Sequence, residues 1–326
     1  MIDAERIERT GLLQGLSPEH RAQALAAFNL YEFGPGEVLL EEGESDRSLA
    51  VVIDGTFEVS LGGVALTTIG ANELVGEMAL FGSFDRRSAT ITSRTASIVA
   101  VLDQEGLRFL RLADNPLARQ LEGLALRTVA SRLRATDAQI AARAAGAPID
   151  HEGRKGLLGR IASVLGVGGE MPRGPAPRLV EILRATHGFA GRDENVLHGV
   201  ASRLQLVAVA TGETVVEEGK EAEDAYIVGD GQIGVFCSVG PGKQERVATL
   251  GPGHVFGVVA MSDTKARTAT CRALTPTYLA RIPGPVYRQL EQENSAEGRA
   301  FRRGLIDALS VQLRLANEHL LGLSRK

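Results

Sequence analysis

The chain has 326 residues, 44% hydrophobic and 23% charged, with a formal net charge of −4; this profile suits a folded chain with room for two ordinary domains and excludes a disordered one. No run of about 18 apolar residues occurs, which excludes a membrane-spanning helix, and the opening Met1-Ile2-Asp3-Ala4-Glu5-Arg6 lacks the apolar core of a signal peptide. Cys237 and Cys271 are the only cysteines and tryptophan is absent, so a disulfide framework, a Cys-rich zinc site and an aromatic stacking platform are excluded, and a reducing cytoplasm is the expected location.

In chain order, Ser17-Pro18-Glu19 predicts a helix start, with Ser as cap and Pro at the first position. Tyr31 and Phe33 alternate with Glu32, and β-rich runs follow at Val38–Leu40, Leu49–Ile53, Phe57–Val59, Val64–Leu66, Ala89–Ser93 and Ser97–Val101. Gly34-Pro35-Gly36, Gly43 and Asp54-Gly55 punctuate them as turns. About eight short strands joined by tight turns predict a jelly roll or small barrel. From Asn115 to about Arg143 the apolar positions Leu117, Leu121, Leu124, Val129 and Leu133 recur at near-heptad spacing, which predicts a long helix. Its stripe would serve as a homodimer seam or pack on its own barrel. The stretch from Ala145 to Gly188, with Gly166-Val167-Gly168-Gly169 and Pro172 to Pro177, reads as a linker carrying one or two short helices. Phe301 to Leu323 predicts a second long helix.

An internal repeat organises these elements. At one constant offset Gly36-Glu37 falls on Gly212-Glu213, Glu41-Glu42-Gly43 on Glu217-Glu218-Gly219, and Asp54-Gly55 on Asp230-Gly231. The period is too long for a solenoid, so the chain holds two copies of one domain. The expected fold class is α+β: two β-roll domains, residues 1–145 and 191–326, flanked by helices and joined by a linker over 146–190.

The chemistry concentrates in the first copy, in Val75-Gly76-Glu77-Met78-Ala79-Leu80-Phe81, then Arg86-Arg87-Ser88-Ala89-Thr90. A glycine opening a short helical turn lets successive N–H groups face an anion. Arg87 supplies a two-pronged donor for phosphate oxygens. Glu77, acceptor-only when ionised, suits a ribose hydroxyl. Ser88 adds a hydroxyl and Ala89 leaves its amide unobstructed. Together they can hold a small ring bearing one phosphate and one hydroxyl.

These residues resemble the phosphate-binding cassette of the cyclic nucleotide-binding domain family, whose motif reads Gly-Glu-x-Ala or Gly-Glu-x-Gly followed by Arg-x-Ala. The resemblance implies that Gly76, Glu77, Met78 and Ala79 form one end of the cradle and Arg87, Ser88 and Ala89 the other. Glu77 would take the ribose 2′-hydroxyl and Arg87 the cyclic phosphate. The Glu77-to-Arg87 spacing looks like that of the bacterial catabolite activator protein, one residue longer than in protein kinase A regulatory subunits, whose tandem layout this chain resembles. Thr136 aligns with the position that reads the adenine amino group in that activator; a merely solvated Thr is the alternative. Ser88 does not decide between bases, because Ser occurs there in both cGMP- and cAMP-binding members. The implied ligand is cAMP, with cGMP or a cyclic dinucleotide behind it, and no cofactor.

Copy two departs from the motif. Gly257, Ala260, Arg267, Thr268 and Ala269 keep their places, but Val258 stands where the ribose glutamate belongs. Weak, altered or absent binding is expected there, since an apolar side chain cannot accept a hydroxyl bond. The alternative is a vestigial cassette in which Arg267 bonds only backbone carbonyls.

No His spacing suits a metal, and no Ser/His/Asp or Cys/His set can be assembled, so no active site is argued; the resemblance implies a non-enzymatic receptor regulating an unidentified protein partner. Little chain precedes the first predicted helix, leaving no room for a kinase-inhibiting segment. No recognition helix follows a sensor domain, so DNA is not an expected partner, and Arg154, Lys155 and Arg160 read as a solvated helix face. A transcription-factor-like protein or a protein-binding scaffold with vestigial sites is the other reading.

Overall fold

The computed structural model describes residues 2–146, 169–221, 223–240, 242–263 and 266–324. They divide into two compact units, Met1–Thr128 and Val129–Lys326.

In the first unit Ser17 caps the helix Pro18–Ala27, its hydroxyl accepting the His20 N–H at 3.2 Å. Eight strands follow: β1 (Asn29–Phe33), β2 (Val38–Leu40), β3 (Leu49–Asp54), β4 (Phe57–Leu61), β5 (Val64–Ile69), β6 (Leu74–Val75), β7 (Thr90–Ser93) and β8 (Ser97–Leu102). They pair antiparallel in two sheets, in the orders β1-β8-β3-β6 and β2-β7-β4-β5. Ala50, Val52, Phe57, Val75, Ile91 and Val99 form the buried cluster inside the roll, and Phe33 meets Phe57 edge-on at 6.0 Å. Non-polar burial on this scale is the main favourable term holding such a roll together.

The second unit repeats the plan with β9 (Gln205–Val209), β10 (Thr214–Val216), β11 (Asp224–Asp230), β12 (Ile233–Gly240), β13 (Lys243–Leu250), β14 (Val255–Phe256), β15 (Thr270–Ala273) and β16 (Thr277–Pro283). Its sheets run β14-β11-β16-β9 and β10-β15-β12-β13, the same topology strand for strand. The repeated Asp-Gly turns have one physical cause. Asp54 and Asp230 each accept the next residue's N–H at 2.8 Å, while Gly55 and Gly231 sit at φ +89° and +83°. A side chain there would strike Ser97 or Thr277. The fold is therefore α+β, as expected.

Several features depart from expectation. The helices Ile2–Arg9 and Gln104–Leu112 and the two-residue strand β6 were not anticipated. The expected linker does hold one short helix, Leu179–Ala185, and a 3-10 turn, His187–Phe189, and the helix Glu194–Ala201 follows it in the second domain; the basic group Arg154, Lys155 and Arg160 lies outside the described residues. The helix Pro116–Gly146 is continuous over 31 residues, and the division between units falls inside it, after Thr128, rather than at 145. Its late turns belong to the second unit: Ile140 and Ala141 lie in that unit's core beside Leu320, and Arg143 Nη1 donates to the Leu320 carbonyl at 3.1 Å. Of the stripe on this helix, Leu117, Leu121 and Val129 are fully buried, Leu133 is nearly so and Leu124 is half-buried, so packing within the chain is one use these residues serve.

Candidate functional site

The first cassette begins where β6 ends. Gly76 adopts φ +81° and opens the short helix Glu77–Phe81. A Cβ at Gly76 would lie 2.5 Å from the Ser48 carbonyl oxygen and 2.8 Å from Arg87 Nη1, so only glycine lets this turn lie against the arginine. Glu77 is fully buried, as are Met78, Ala79 and Arg87 to nine-tenths or more, while Ser88 and Ala89 are half-buried. Ser88 Oγ lies 3.8 Å from Met78 Sδ, so the two ends of the cassette meet. The structure thus brings together seven of the eight residues predicted for the first site.

Arg87 is held by groups that sequence reasoning missed. Nη1 donates to the Ser48 carbonyl at 2.8 Å, and Nη2 donates to Ser48 Oγ at 2.9 Å and to the Asp46 carboxylate. Partial burial works to raise the Asp46 pKa, but hydrogen bonds from Ser48 and Arg87 and the guanidinium charge outweigh it and hold the carboxyl below its usual range. Arg87 therefore stays extended under a counter-charge at the lip, with donors left over, since a guanidinium carries five N–H groups. The signal was an acid just past the Glu41-Glu42-Gly43 turn whose counterpart at the constant offset is Ala222.

Thr136, the eighth residue, belongs to the second unit. Its Oγ1 donates to Asn317 Oδ1 at 3.0 Å, within the second unit.

The second cassette has the same backbone and a different chemistry. Gly257 again has φ +81°, with a Cβ position 2.7 Å from Arg267 Nη1. Arg267 Nη1 donates to the Gly257 carbonyl at 2.7 Å and Nη2 to the Asp224 carbonyl. No carboxylate pairs with it among the described residues; Asp224's own is taken by Arg281 and the Gly284 N–H. Val258 is fully buried, Ala260 and Ala269 are buried, and Thr268 is half-buried. Tyr226 stacks on Phe256 at 5.1 Å, where the first unit pairs Ala50 with Val75. Among the described residues no group of three or more His, Cys, Asp or Glu is placed to hold a metal, and no helix is long and apolar enough to cross a membrane.

The sequence model of the cyclic nucleotide-binding domain matches residues 30–114 and 206–294, more than half of the chain. The chain belongs to the cyclic nucleotide-binding domain family. Both matched segments coincide with a β-roll and its cassette, so the protein carries two tandem cyclic nucleotide-binding domains. Among curated proteins it is similar to lysophospholipase nte1 of Emericella nidulans, 24% identical over 299 residues, covering 84% of this chain and 17% of the relative. It is also similar to human patatin-like phospholipase domain-containing protein 6, 29% identical over 102 residues, 31% of this chain and 7% of that protein. The chain thus spans a minor part of these relatives' length. Among solved structures, the regulatory domain of Toxoplasma gondii PKA with cAMP is 18% identical, covering 91% of this chain and 94% of that one with a TM-score of 0.34. A cyclic nucleotide-binding domain from Methylobacillus flagellatus is 21% identical, covering 44% and 82%, with a TM-score of 0.41.

Proposed function

We propose that the protein is a non-enzymatic cyclic nucleotide receptor whose first domain carries the principal site and whose ligand is cAMP, with regulation of a protein partner as the output. The observation that carries this reading is the convergence, in the first cassette, of Gly76 in its left-handed turn, a buried Glu77 and a buried Arg87 with donors to spare. Glu77 would accept the ribose 2′-hydroxyl, Arg87 would take the cyclic phosphate, and Met78, Ala79, Ser88 and Ala89 would close the cradle. The Glu77-to-Arg87 spacing, like that of the cAMP-binding activator, favours cAMP. A ligand shifts a conformation only by what it binds differently in two states; the segment next to both domains is the helix Pro116–Gly146.

Isothermal titration of the full chain with cAMP and cGMP tests the binding. One tight site for cAMP, weaker cGMP binding and loss of both in Arg87→Ala are expected. No heat with either nucleotide would leave the scaffold reading instead. Hydrogen exchange with and without cAMP tests the switch: protection confined to the cassette, with residues 115–145 unchanged, would remove this helix from the output.

A further inference from the structure

The second unit encloses a cavity of about 220 Å³ whose walls suit a different molecule. They are Val235, Val247 and Leu250 of the barrel, Leu133 and Ile140 of the helix Pro116–Gly146, and Leu309 of the helix Ala296–Ser324. Such a lining favours an apolar occupant over water.

Two of its polar side chains already hold the backbone. Gln312 bonds the Val255 backbone in both directions, at 2.9 and 3.3 Å, and His254 Nδ1 lies 3.0 Å from the Gly251 carbonyl. Val258, in the cavity wall, removes the ribose acceptor. Arg267 differs. It is only 8% exposed, lines the cavity and spends two of five N–H donors on carbonyls. In the first unit the corresponding arginine has Asp46 as counter-charge; here the matching position in sequence is Ala222. A buried cation that pairs with no carboxylate among the described residues is costly, and an entering anion would relieve that cost. A single negative charge fits better than two, because Asp137 also lines the wall and each added charge must be desolvated.

We propose that the second unit binds an amphiphilic monocarboxylate, its acyl chain filling the apolar cavity and its carboxylate paired with Arg267. A planar carboxylate matches the guanidinium fork. The inference does not depend on a nucleotide occupying the first unit.

Titration of the full chain with sodium decanoate tests it. One decanoate per chain is expected, with affinity reduced about tenfold or more in Arg267→Gln, and decanol binding about tenfold more weakly than decanoate. Ala316→Trp, which fills the cavity from its wall, should abolish binding, with circular dichroism melts confirming that each variant is folded. Arg87→Ala should leave decanoate affinity unchanged, which separates this site from the first cassette. In the unsubstituted protein a diazirine-bearing decanoate should crosslink to residues 247–260 or 309–319. No binding, equal affinity for decanoate in Arg267→Gln, or crosslinks only outside the second unit would each overturn the proposal.

Discussion

The N–H of Gly43 donates to the carbonyl of Arg87 at 3.0 Å, and the N–H of Arg87 donates to the carbonyl of Glu44, the next residue, at 2.8 Å. The second unit repeats the clamp: Gly219 bonds the Arg267 carbonyl and the Arg267 N–H bonds Lys220, both at 2.9 Å. Gly43 and Gly219 have φ +86° and +81°, a region other residues enter only with strain. The Glu-Glu-Gly turn that reveals the repeat in sequence is therefore the bracket that fixes each cassette arginine's backbone.

Arg87→Ala should weaken cyclic nucleotide binding by about two orders of magnitude or more, because truncating a desolvated charge pair typically costs about 2–5 kcal/mol. Glu77→Ala should lose less, roughly 1–3 kcal/mol, since it orphans a hydroxyl and not a charge. Calorimetry on both variants checks the order; equal losses would contradict the assigned roles.

Asp46→Asn should lower thermal stability, because it leaves the buried Arg87 guanidinium short of its counter-charge. A nucleotide phosphate would then supply the missing charge. The gain in melting temperature on adding cAMP should therefore be larger in Asp46→Asn than in the unsubstituted protein. A smaller gain would show that Asp46 is needed to orient Arg87 for the ligand.

Titration should give one tight cyclic nucleotide site per chain. Val258 is fully buried, so Val258→Glu places a carboxylate in an apolar wall. The variant should be less stable unless a nucleotide binds there and partners it. Two equal sites in the unsubstituted protein would refute the asymmetry.

Thr136→Val should leave cyclic nucleotide affinity at the first site unchanged and lower stability by about 1 kcal/mol, the usual net worth of one hydrogen bond. The bond lost is that to Asn317. Urea unfolding and titration on the same preparation separate the two readouts.

Burial pushes the Asp137 carboxyl up to about 7 from an ordinary value of 3.8. Between those values the folded chain holds a proton that the unfolded chain has released. The stability this contributes is full below the unfolded value and is lost as pH rises to about 7. Asp137→Asn, neutral throughout, should be more stable than the unsubstituted protein at about pH 8 and lose that advantage towards about pH 4. Parallel melts across that range check the sign.

Local features of the fold were legible because their causes are local. Ser17 and Pro18 announce a helix start, Asp54-Gly55 a turn only glycine can make, and Gly76-Glu77 with Arg87 a cassette whose members lie close in sequence. Asp46 was not legible, since its role depends on the β2–β3 connection coming to lie over a distant guanidinium. Strand β6, two residues long, is too short to show a period. The surroundings of Thr136 were not legible for a different reason. Periodicity defines which face of a helix is apolar but not which core that face enters, and this helix changes cores along its length.

The shared helix also bears on how such a chain could be rearranged. Two copies of one domain invite the picture of interchangeable cartridges, each excised or replaced by a cut between them. A gene fusion joined after residue 145 would carry away Leu133, Ile140 and Ala141 with the first copy, and with them part of the wall and core of the second. The orphaned turns would then present aliphatic side chains to water, and the remaining barrel would lack its cover. Duplication made the halves alike, yet the run from Pro116 to Gly146 lends the second copy part of its core from turns that precede it in the chain.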